Sequence, residues 1–324
     1  MKVISEHIKT ENYKNIYLLY GDEKYLVNQY KNRLKDAIIG DDSINYGYFE
    51  GGKIDTREVI SMCDTMPFFS ERRLVIVENS GFLKSANEDL ANYLKNVPEY
   101  LIIIFVEEEI DKRNRIFKLI SDKGYACEMK YQSESTLSKW VDGLLAKDNK
   151  KIERAALALL LDKCGVEMTN IYSEMEKLIC YCLDKEIITV ADVDAICTVR
   201  TENKIFDLVT AIATHKQKQA LDLYYDLLTL REAPMRIMFL ITRQFNLLLQ
   251  VKELAAHNID NKTMASKMGV APFVVGKCLA QAKNFTIEKL KEALEDMAGV
   301  EEAVKQGNMQ DKTAVELTII KYSK

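Results

Sequence analysis

Residues 101–106 (LIIIFV) form an unbroken apolar run, which constrains the fold more than any other stretch of this chain. A strand with one solvated face alternates apolar and polar residues, whereas an unbroken run is typical of a strand that is covered on both faces. Residues 16–20 (IYLLY) and 74–77 (LVIV) are two further runs of this kind. The N-terminal part of the chain therefore predicts a sheet with layers packed on both of its sides.

Helical patterns separate these strands. The spacing of apolar residues predicts one helix over about 23–38 and another over about 113–120. Capping boxes at Asp55 and Ser85 predict two shorter helices, and weaker strands are predicted over 45–49 and near 125–129. This alternation up to about residue 131 predicts a mostly parallel α/β sheet with helices on both faces, a kind of domain that often binds nucleotides.

From Ser133 onward the helical patterns continue and the strand signals end. A capping box at Thr189 and Asp192 predicts one short helix, and regular apolar stripes from about residue 206 predict a helical block that could also serve in oligomerisation. With 324 residues the chain is long enough for two or three cores. We predict an α/β domain over 1–131, a small all-α domain over 132–205 and an all-α domain over 206–324.

Composition narrows the classes of function. A net charge of −4 argues against a protein that holds nucleic acid by its overall electrostatics. The first residues have no apolar signal-peptide core and no apolar run is long enough to span a bilayer, so we expect a cytoplasmic protein without a membrane partner. The 7 cysteines are scattered without a C-x-x-C pair, and we expect mostly buried, free thiols and no bound metal.

The turn after the first strand, residues 20–26 (YGDEKYL), is where a nucleotide-binding domain would hold phosphate. A P-loop has the pattern G-x-x-x-x-G-K-[ST], because its backbone N–H groups and lysine hold phosphate and its hydroxyl holds Mg²⁺. This turn has a single glycine, lacks a hydroxyl residue after Lys24, and places Asp22 and Glu23 where phosphate would lie. We therefore expect no nucleotide cofactor.

No other set of catalytic residues is visible in the sequence. Glu78 follows one predicted strand, and residues 107–109 (EEE) are expected to form a solvated acidic turn. The 3 histidines lie in no recognisable motif with Cys or Ser; they are His7, His215 and His257. Acid–base and nucleophilic catalysis therefore have no candidates, and we predict that the chain is not an enzyme.

Residues 65–73 (TMPFFSERR) place bulky apolar side chains between a predicted helix and a buried strand. Phe68 and Phe69 could close the core at this corner, because large apolar residues are usually buried. A short surface connection predicts instead that they project toward a pocket in another protein. Pro67 favours the second interpretation, because it stiffens the segment and lowers the entropy lost on binding. We interpret Met66, Pro67, Phe68 and Phe69, hereafter the wedge, as a docking element.

Several segments, in order and over nearly the whole length, resemble the delta subunit of the bacterial DNA polymerase III clamp loader. No single segment decides the assignment, but together they identify the chain as a member of that family. The segments are 18–26 (LLYGDEKYL), 66–75 (MPFFSERRLV), 111–113 (DKR), 202–209 (ENKIFDLV), 269–275 (GVAPFVV) and 304–308 (VKQGN).

The resemblance implies an AAA+-like α/β domain that lacks a P-loop, a small helical lid and a helical collar that joins other clamp-loader subunits. It also implies that the wedge inserts into a hydrophobic pocket of the ring-shaped sliding clamp (beta) and helps to open the ring during DNA replication. Phe68 and Phe69 take the two aromatic positions, with Met66 and Pro67 as supporting contacts. Phe68 stands where leucine is common among relatives. The resemblance further implies that the chain does not hydrolyse ATP itself.

Primer–template DNA is a further partner that the resemblance implies, within the assembled loader. Lys112, Arg113, Arg115 and Lys118 could form a basic helix face that contacts backbone phosphates. The alternative is an ordinary solvated face, as most charged surface stretches are.

Three other functions compete with this assignment. An AAA+ ATPase with a degenerate phosphate loop would be revealed by nucleotide binding. The related delta-prime and motor subunits usually carry a four-cysteine zinc module, and the motor subunit carries a true P-loop. A helical scaffold that binds DNA should show a basic stripe, which the acidic balance does not favour.

Overall fold

The computed structural model describes residues 1–198, 201–270 and 272–324, without the side chains of Glu202, Lys262, Pro272 and Phe273. Parts of two segments that carry the resemblance, 202–209 and 269–275, therefore lie outside the described residues. The chain divides into two compact units. The first unit comprises Met1–Leu157 and Val166–Asp192, and the second comprises Ala158–Gly165 and Val193–Lys324. The division into three domains stays a prediction.

The first unit alternates strands and helices. Its elements are α1 (Lys2–Thr10), β1 (Ile16–Tyr20), α2 (Lys24–Ile38), β2 (Tyr46–Glu50), α3 (Thr56–Asp64), β3 (Arg73–Glu78), α4 (Glu88–Tyr93), β4 (Leu101–Glu107), α5 (Arg115–Lys123), β5 (Tyr125–Glu128), α6 (Glu134–Lys147), β6 (Lys151–Ile152), α8 (Met168–Tyr181) and β7 (Ile187–Ile188). Two helices, α7 (Arg154–Cys164) and α9 (Val190–Ile196), have residues in both units.

The main sheet has the strand order β2-β3-β4-β1-β5, and every neighbouring pair is parallel. Strand β1 lies between β4 and β5, and it pairs Tyr20 with Glu107 of β4 and with Glu128 of β5. Because all the strands run in the same direction, their carboxyl ends meet at one edge of the sheet. The predicted α/β fold class with a parallel sheet is confirmed.

Strand β4 is buried on both faces, which explains its apolar run. On one face, Leu101, Ile103 and Phe105 pack in a cluster with residues of α3, α4 and α5. On the other face, Ile102 and Ile104 are equally buried. Successive side chains of a strand point to opposite faces, so a strand covered on both sides needs an apolar residue at every position.

Two local predictions are wrong. Helix α4 is not capped at Ser85, because Asn87 accepts a hydrogen bond from the N–H of Leu90 and the helix begins at Glu88. Asparagine is as good an N-cap as serine, and the sequence offers both within three residues. The prediction that no strands follow Ser133 is also wrong, because β6 and β7 form a short parallel pair. Strands of two residues are too short to produce an apolar run.

The second unit is helical and has one core. Its helices are α10 (Thr201–Ala213), α11 (Gln217–Thr229), α12 (Pro234–Ala256), α13 (Asn261–Met268), α14 (Pro272–Ala282), α15 (Ile287–Lys305) and α16 (Asp311–Tyr322). The core includes Tyr224 of α11, Phe245 of α12 and Ile319 of α16, which are fully buried. Among the described residues, no helix has both the length and the apolar character needed to cross a membrane.

Candidate functional site

The wedge lies in the connection between α3 and β3, and its large side chains are outside the core. The exposed fractions are 73% for Met66, 59% for Phe68 and 95% for Phe69, while Pro67 is half-buried. The interpretation in which the two phenylalanines close the core at this corner therefore does not hold. Apolar groups of this size are seldom left in water without a binding partner.

The two phenylalanine rings form a single ridge. They meet edge to face with their centroids 4.4 Å apart. Phe69 has φ 51°, in the left-handed region that non-glycine residues seldom adopt. Backbone of this kind persists only where its surroundings hold it, and it concentrates at functional sites.

Asn45, which immediately precedes β2, holds the wedge at Phe68. Its Oδ1 accepts from the N–H of Phe68 at 2.7 Å, and its Nδ2 donates to the carbonyl oxygen of Phe68 at 2.9 Å. The sequence predicted Asn45 only as the start of a strand. A contact across 23 residues leaves no local signal, although the neighbouring Asp42 is typical of a turn.

Arg73 holds the other end of the connection. Its side chain is buried, and Nη2 donates to the carbonyl oxygen of Met66 at 3.4 Å while Nη1 lies 3.3 Å from the Met62 sulfur. Its backbone N–H donates to the carbonyl oxygen of Tyr100 at 2.9 Å, at the start of β4. The backbone of the wedge is thus held at Met66 by Arg73 and at Phe68 by Asn45.

The turn between β1 and α2, the predicted place for phosphate, is closed by the chain itself. Gly21 has φ 126°, and a Cβ there would lie 2.3 Å from the carbonyl oxygen of Met129. The N–H of Glu23 donates to that same oxygen at 3.0 Å, and the N–H of Tyr25 donates to Glu23 Oε1 at 3.2 Å. A P-loop directs such N–H groups at phosphate, but these groups already have partners.

Glu23 occupies the end of helix α2 with a buried carboxylate. Only 2% of the residue is exposed, and its Oε2 accepts from the N–H of Met168, the first residue of α8, at 3.2 Å. Burial raises the pKa of Glu23, while the hydrogen bonds from Met168 and Tyr25 act in the opposite direction. An acid therefore lies where helix N-termini attract an anion.

The carboxyl edge of the sheet is acidic. Four of its five strands end in glutamate, at Glu50, Glu78, Glu107 and Glu128. Glu78 is paired with Lys31 at 2.7 Å. Glu128 is paired with Lys112 at 3.3 Å, so part of the acidic charge at this edge is neutralised within the chain.

The prediction of a solvated turn at residues 107–109 is wrong for Glu107. This residue ends β4, is buried, and accepts hydrogen bonds from the N–H groups of Ser80 at 3.0 Å and Gly81 at 3.3 Å and from the Ser80 hydroxyl. Burial raises the pKa of Glu107. Backbone donors from the loop after β3 make burial of this acid possible, and only Glu108 and Glu109 are exposed.

The four basic residues predicted to face DNA lie near the start of α5, and they are exposed. Three of them have acidic partners: Lys112 lies 3.3 Å from Glu128, Arg113 lies 2.9 Å from Asp111, and Arg115 pairs with Glu88. Only Arg115 and Lys118 lie within α5, whereas Lys112 and Arg113 precede it, so the prediction that all four share one helix face is wrong. Exposed pairs of this kind are weak, so they leave the cations available to other anions.

The described residues contain no group of three or more His, Cys, Asp or Glu side chains that could hold a metal ion. Of the cysteines, Cys180 is exposed and the other six are buried.

Family models match most of the chain. One, described as "DNA polymerase III, delta subunit", matches residues 17–131. A second, described as "DNA polymerase III delta subunit, C-terminal domain", matches residues 202–322.

Individual relatives agree with the family models. DNA polymerase III subunit delta of Bacillus subtilis (strain 168) is 28% identical over 322 residues, which is 95% of this chain and 93% of the relative. The probable DNA polymerase III subunit delta of Aquifex aeolicus (strain VF5) is 25% identical over 267 residues, covering 78% of this chain and 75% of the relative. The solved structure of the Bacillus subtilis DNA clamp loader delta protein superposes with a TM-score of 0.75 at 27% identity and covers 99% of both chains.

Proposed function

Because this chain belongs to the DNA polymerase III delta subunit family, we propose that it binds the sliding clamp through the wedge and helps to open the ring, without hydrolysing ATP itself. The observation that carries the proposal is the pair of exposed phenylalanine rings, held by Asn45 and Arg73 on a connection tied to the sheet. An exposed aromatic pair on a fixed backbone is typical of a binding anchor.

The rings supply a large part of the free energy that such a complex needs. Transfer of two phenylalanine side chains out of water contributes about 3–6 kcal/mol. A micromolar complex has a binding free energy of about 8 kcal/mol. Opening of the ring then follows if the open form of the clamp accepts the wedge better than the closed form, since a ligand shifts an equilibrium only by differential affinity.

We expect Phe68→Ala or Phe69→Ala to weaken binding of the chain to its cognate clamp by at least about 2 kcal/mol, the usual threshold for a binding hot spot. Both side chains are exposed, so the thermal unfolding of the variants should match that of the wild-type chain. Calorimetric titration of the clamp with each variant measures the effect.

Phe239 provides a matched control, because it is a phenylalanine that is 64% exposed on α12, far along the chain from the wedge. Phe239→Ala should leave the clamp affinity unchanged. Unchanged affinity in both wedge variants would remove the wedge from the binding function.

The proposal that this subunit does not hydrolyse ATP rests on the turn between β1 and α2. Its N–H groups bond to Met129 and to the Glu23 side chain, and the buried Glu23 carboxylate lies at the helix end that would face phosphate. The turn therefore does not offer the P-loop groups that bind Mg-ATP, which are backbone N–H groups directed at phosphate and a lysine followed by a hydroxyl residue. The competing function, an ATPase with a degenerate loop, requires those groups.

Assembly and DNA contact complete the proposed function. Other loader subunits are expected to bind the C-terminal helical block, as in the family's collar. Lys112, Arg113, Arg115 and Lys118 are exposed, and we expect them to contact backbone phosphates of primer–template DNA inside the assembled loader.

A further inference from the structure

Asn45 is a polar side chain buried at the base of the wedge, with only 1% of the residue exposed. Its amide makes three hydrogen bonds: from the N–H of Phe68 at 2.7 Å, to the carbonyl oxygen of Phe68 at 2.9 Å, and to Asp42 Oδ2 at 2.7 Å. The backbone of Asn45 is fixed as well, because its carbonyl oxygen accepts from the N–H of Leu74 in β3 at 2.9 Å. The residue connects the sheet to the wedge.

The orientation of the Asn45 amide follows from its partners. The N–H of Phe68 can only donate and an ionised carboxylate can only accept, so Oδ1 faces Phe68 N–H and Nδ2 faces Asp42. Hydrogen bonds from Asn45 lower the pKa of Asp42, so they favour the ionised carboxylate that accepts them. One amide thus bonds to both backbone polar groups of Phe68, much as a neighbouring strand would.

The wedge needs such an anchor. Phe68 lies outside the ladder of any strand, and the next residue, Phe69, has the left-handed φ of 51°. A free surface connection would sample many backbone conformations, and ordering each residue lowers affinity by a factor of roughly 5–30.

We propose that Asn45 is a positioning residue for clamp binding: it holds the Phe68 backbone so that both rings are presented in the binding arrangement before the clamp arrives. This role rests on the proposed function of the wedge. Asn45 itself is buried and need not contact the clamp.

Replacement of the amide tests the role. Asn45→Ala removes all three side-chain hydrogen bonds, and we expect the clamp to bind at least about tenfold more weakly, the cost of ordering one backbone residue again. Exchange of the Phe68 amide hydrogen with solvent should accelerate in the same variant.

Asn87→Ala is the matched control. Asn87 is another asparagine of the first unit, and it also bonds a backbone N–H, that of Leu90 at 3.1 Å, and a side chain, Thr56 Oγ1 at 2.7 Å. Its loss should lower thermal stability to a similar extent and leave the clamp affinity unchanged. A general effect of weakened folding would instead reduce affinity in both variants.

A double-mutant cycle separates positioning from direct contact or structural damage. If Asn45 acts only through the rings, Asn45→Ala should cost no further affinity in a chain that already carries Phe68→Ala and Phe69→Ala. An additive loss would overturn the proposal, because it would mean that Asn45 contributes apart from the wedge.

The outcomes are distinguishable. If Phe69→Ala weakens binding while Asn45→Ala does not, the wedge function stands and the positioning role is wrong. If neither weakens binding, both fail. If Asn45→Ala does not fold, amide hydrogen exchange in the wild-type chain tests the positioning role instead. The Phe68 N–H must then exchange more slowly than the Ser70 N–H, and equal rates would overturn the positioning role of Asn45.

Discussion

Gly21 and Gly143 show how one residue type serves opposite purposes in the same unit. Gly21 has φ 126° and leaves no space for a Cβ, which would lie 2.3 Å from Met129 O. Gly143 lies inside helix α6, and a Cβ there would meet no atom within 4 Å. Glycine is required by the closed turn at the first position, whereas at the second it only adds freedom to the unfolded chain.

We expect Gly21→Ala to lower the free energy of unfolding by about 1–3 kcal/mol, the cost of a strained backbone position. Gly143→Ala should instead raise it by about 0.5–1 kcal/mol, because alanine favours helix over glycine. Denaturant titration of the full chain, followed by circular dichroism, measures both. A neutral Gly21→Ala would show that the turn opens readily, which would weaken the argument against phosphate binding.

At the scale of elements, the turn between β1 and α2 decides whether the sheet can use nucleotide. The N–H groups of Glu23 and Tyr25 have partners within the chain, and the buried Glu23 side chain lies at the start of α2. We expect the isolated chain to bind Mg-ATP with a dissociation constant weaker than about 1 mM, a binding free energy of less than about 4 kcal/mol. Calorimetric titration measures this, with clamp binding by the same sample as the control for folding. Tight binding of Mg-ATP would favour the ATPase alternative.

The elements that were predicted correctly from the sequence are those whose signal lies in the element's own residues or next to them. The unbroken apolar runs of β1, β3 and β4 follow from burial on both faces, and the acid at Asp55 caps α3 as predicted. The exposure of Met66, Phe68 and Phe69 was predicted from their position in a short surface connection, while their role in docking stays a prediction. Asn45 was not predicted as part of the site, because its role depends on a partner 23 residues away. Burial of Glu107 was missed for the same reason, since its donors come from the loop after a different strand.

At the scale of the whole molecule, a chain of net charge −4 can contact DNA only through a local basic surface. Arg115 and Lys118 lie on α5, while Lys9 and Lys53 are exposed elsewhere in the first unit. Replacing either pair with alanine changes the net charge of the assembled loader equally, so the second pair is a matched control for the first.

We expect the double variant Arg115→Ala and Lys118→Ala to reduce the salt dependence of primed-DNA binding by the loader. Each lost phosphate contact changes the slope of log K against log salt by about 0.9. The variant with Lys9→Ala and Lys53→Ala should keep the wild-type slope. Equal slopes in all three loaders, measured by fluorescence anisotropy, would support the solvated-face interpretation.

The carboxylate of Glu23 has one more consequence. It accepts hydrogen bonds from N–H groups in the first turns of α2 and α8, where helix N-termini favour negative charge, and it is covalently part of the chain. A tethered anion does not dissociate, is not consumed and does not compete with metabolites. We therefore expect the internal arrangement of the first unit to be the same in the presence and in the absence of ATP.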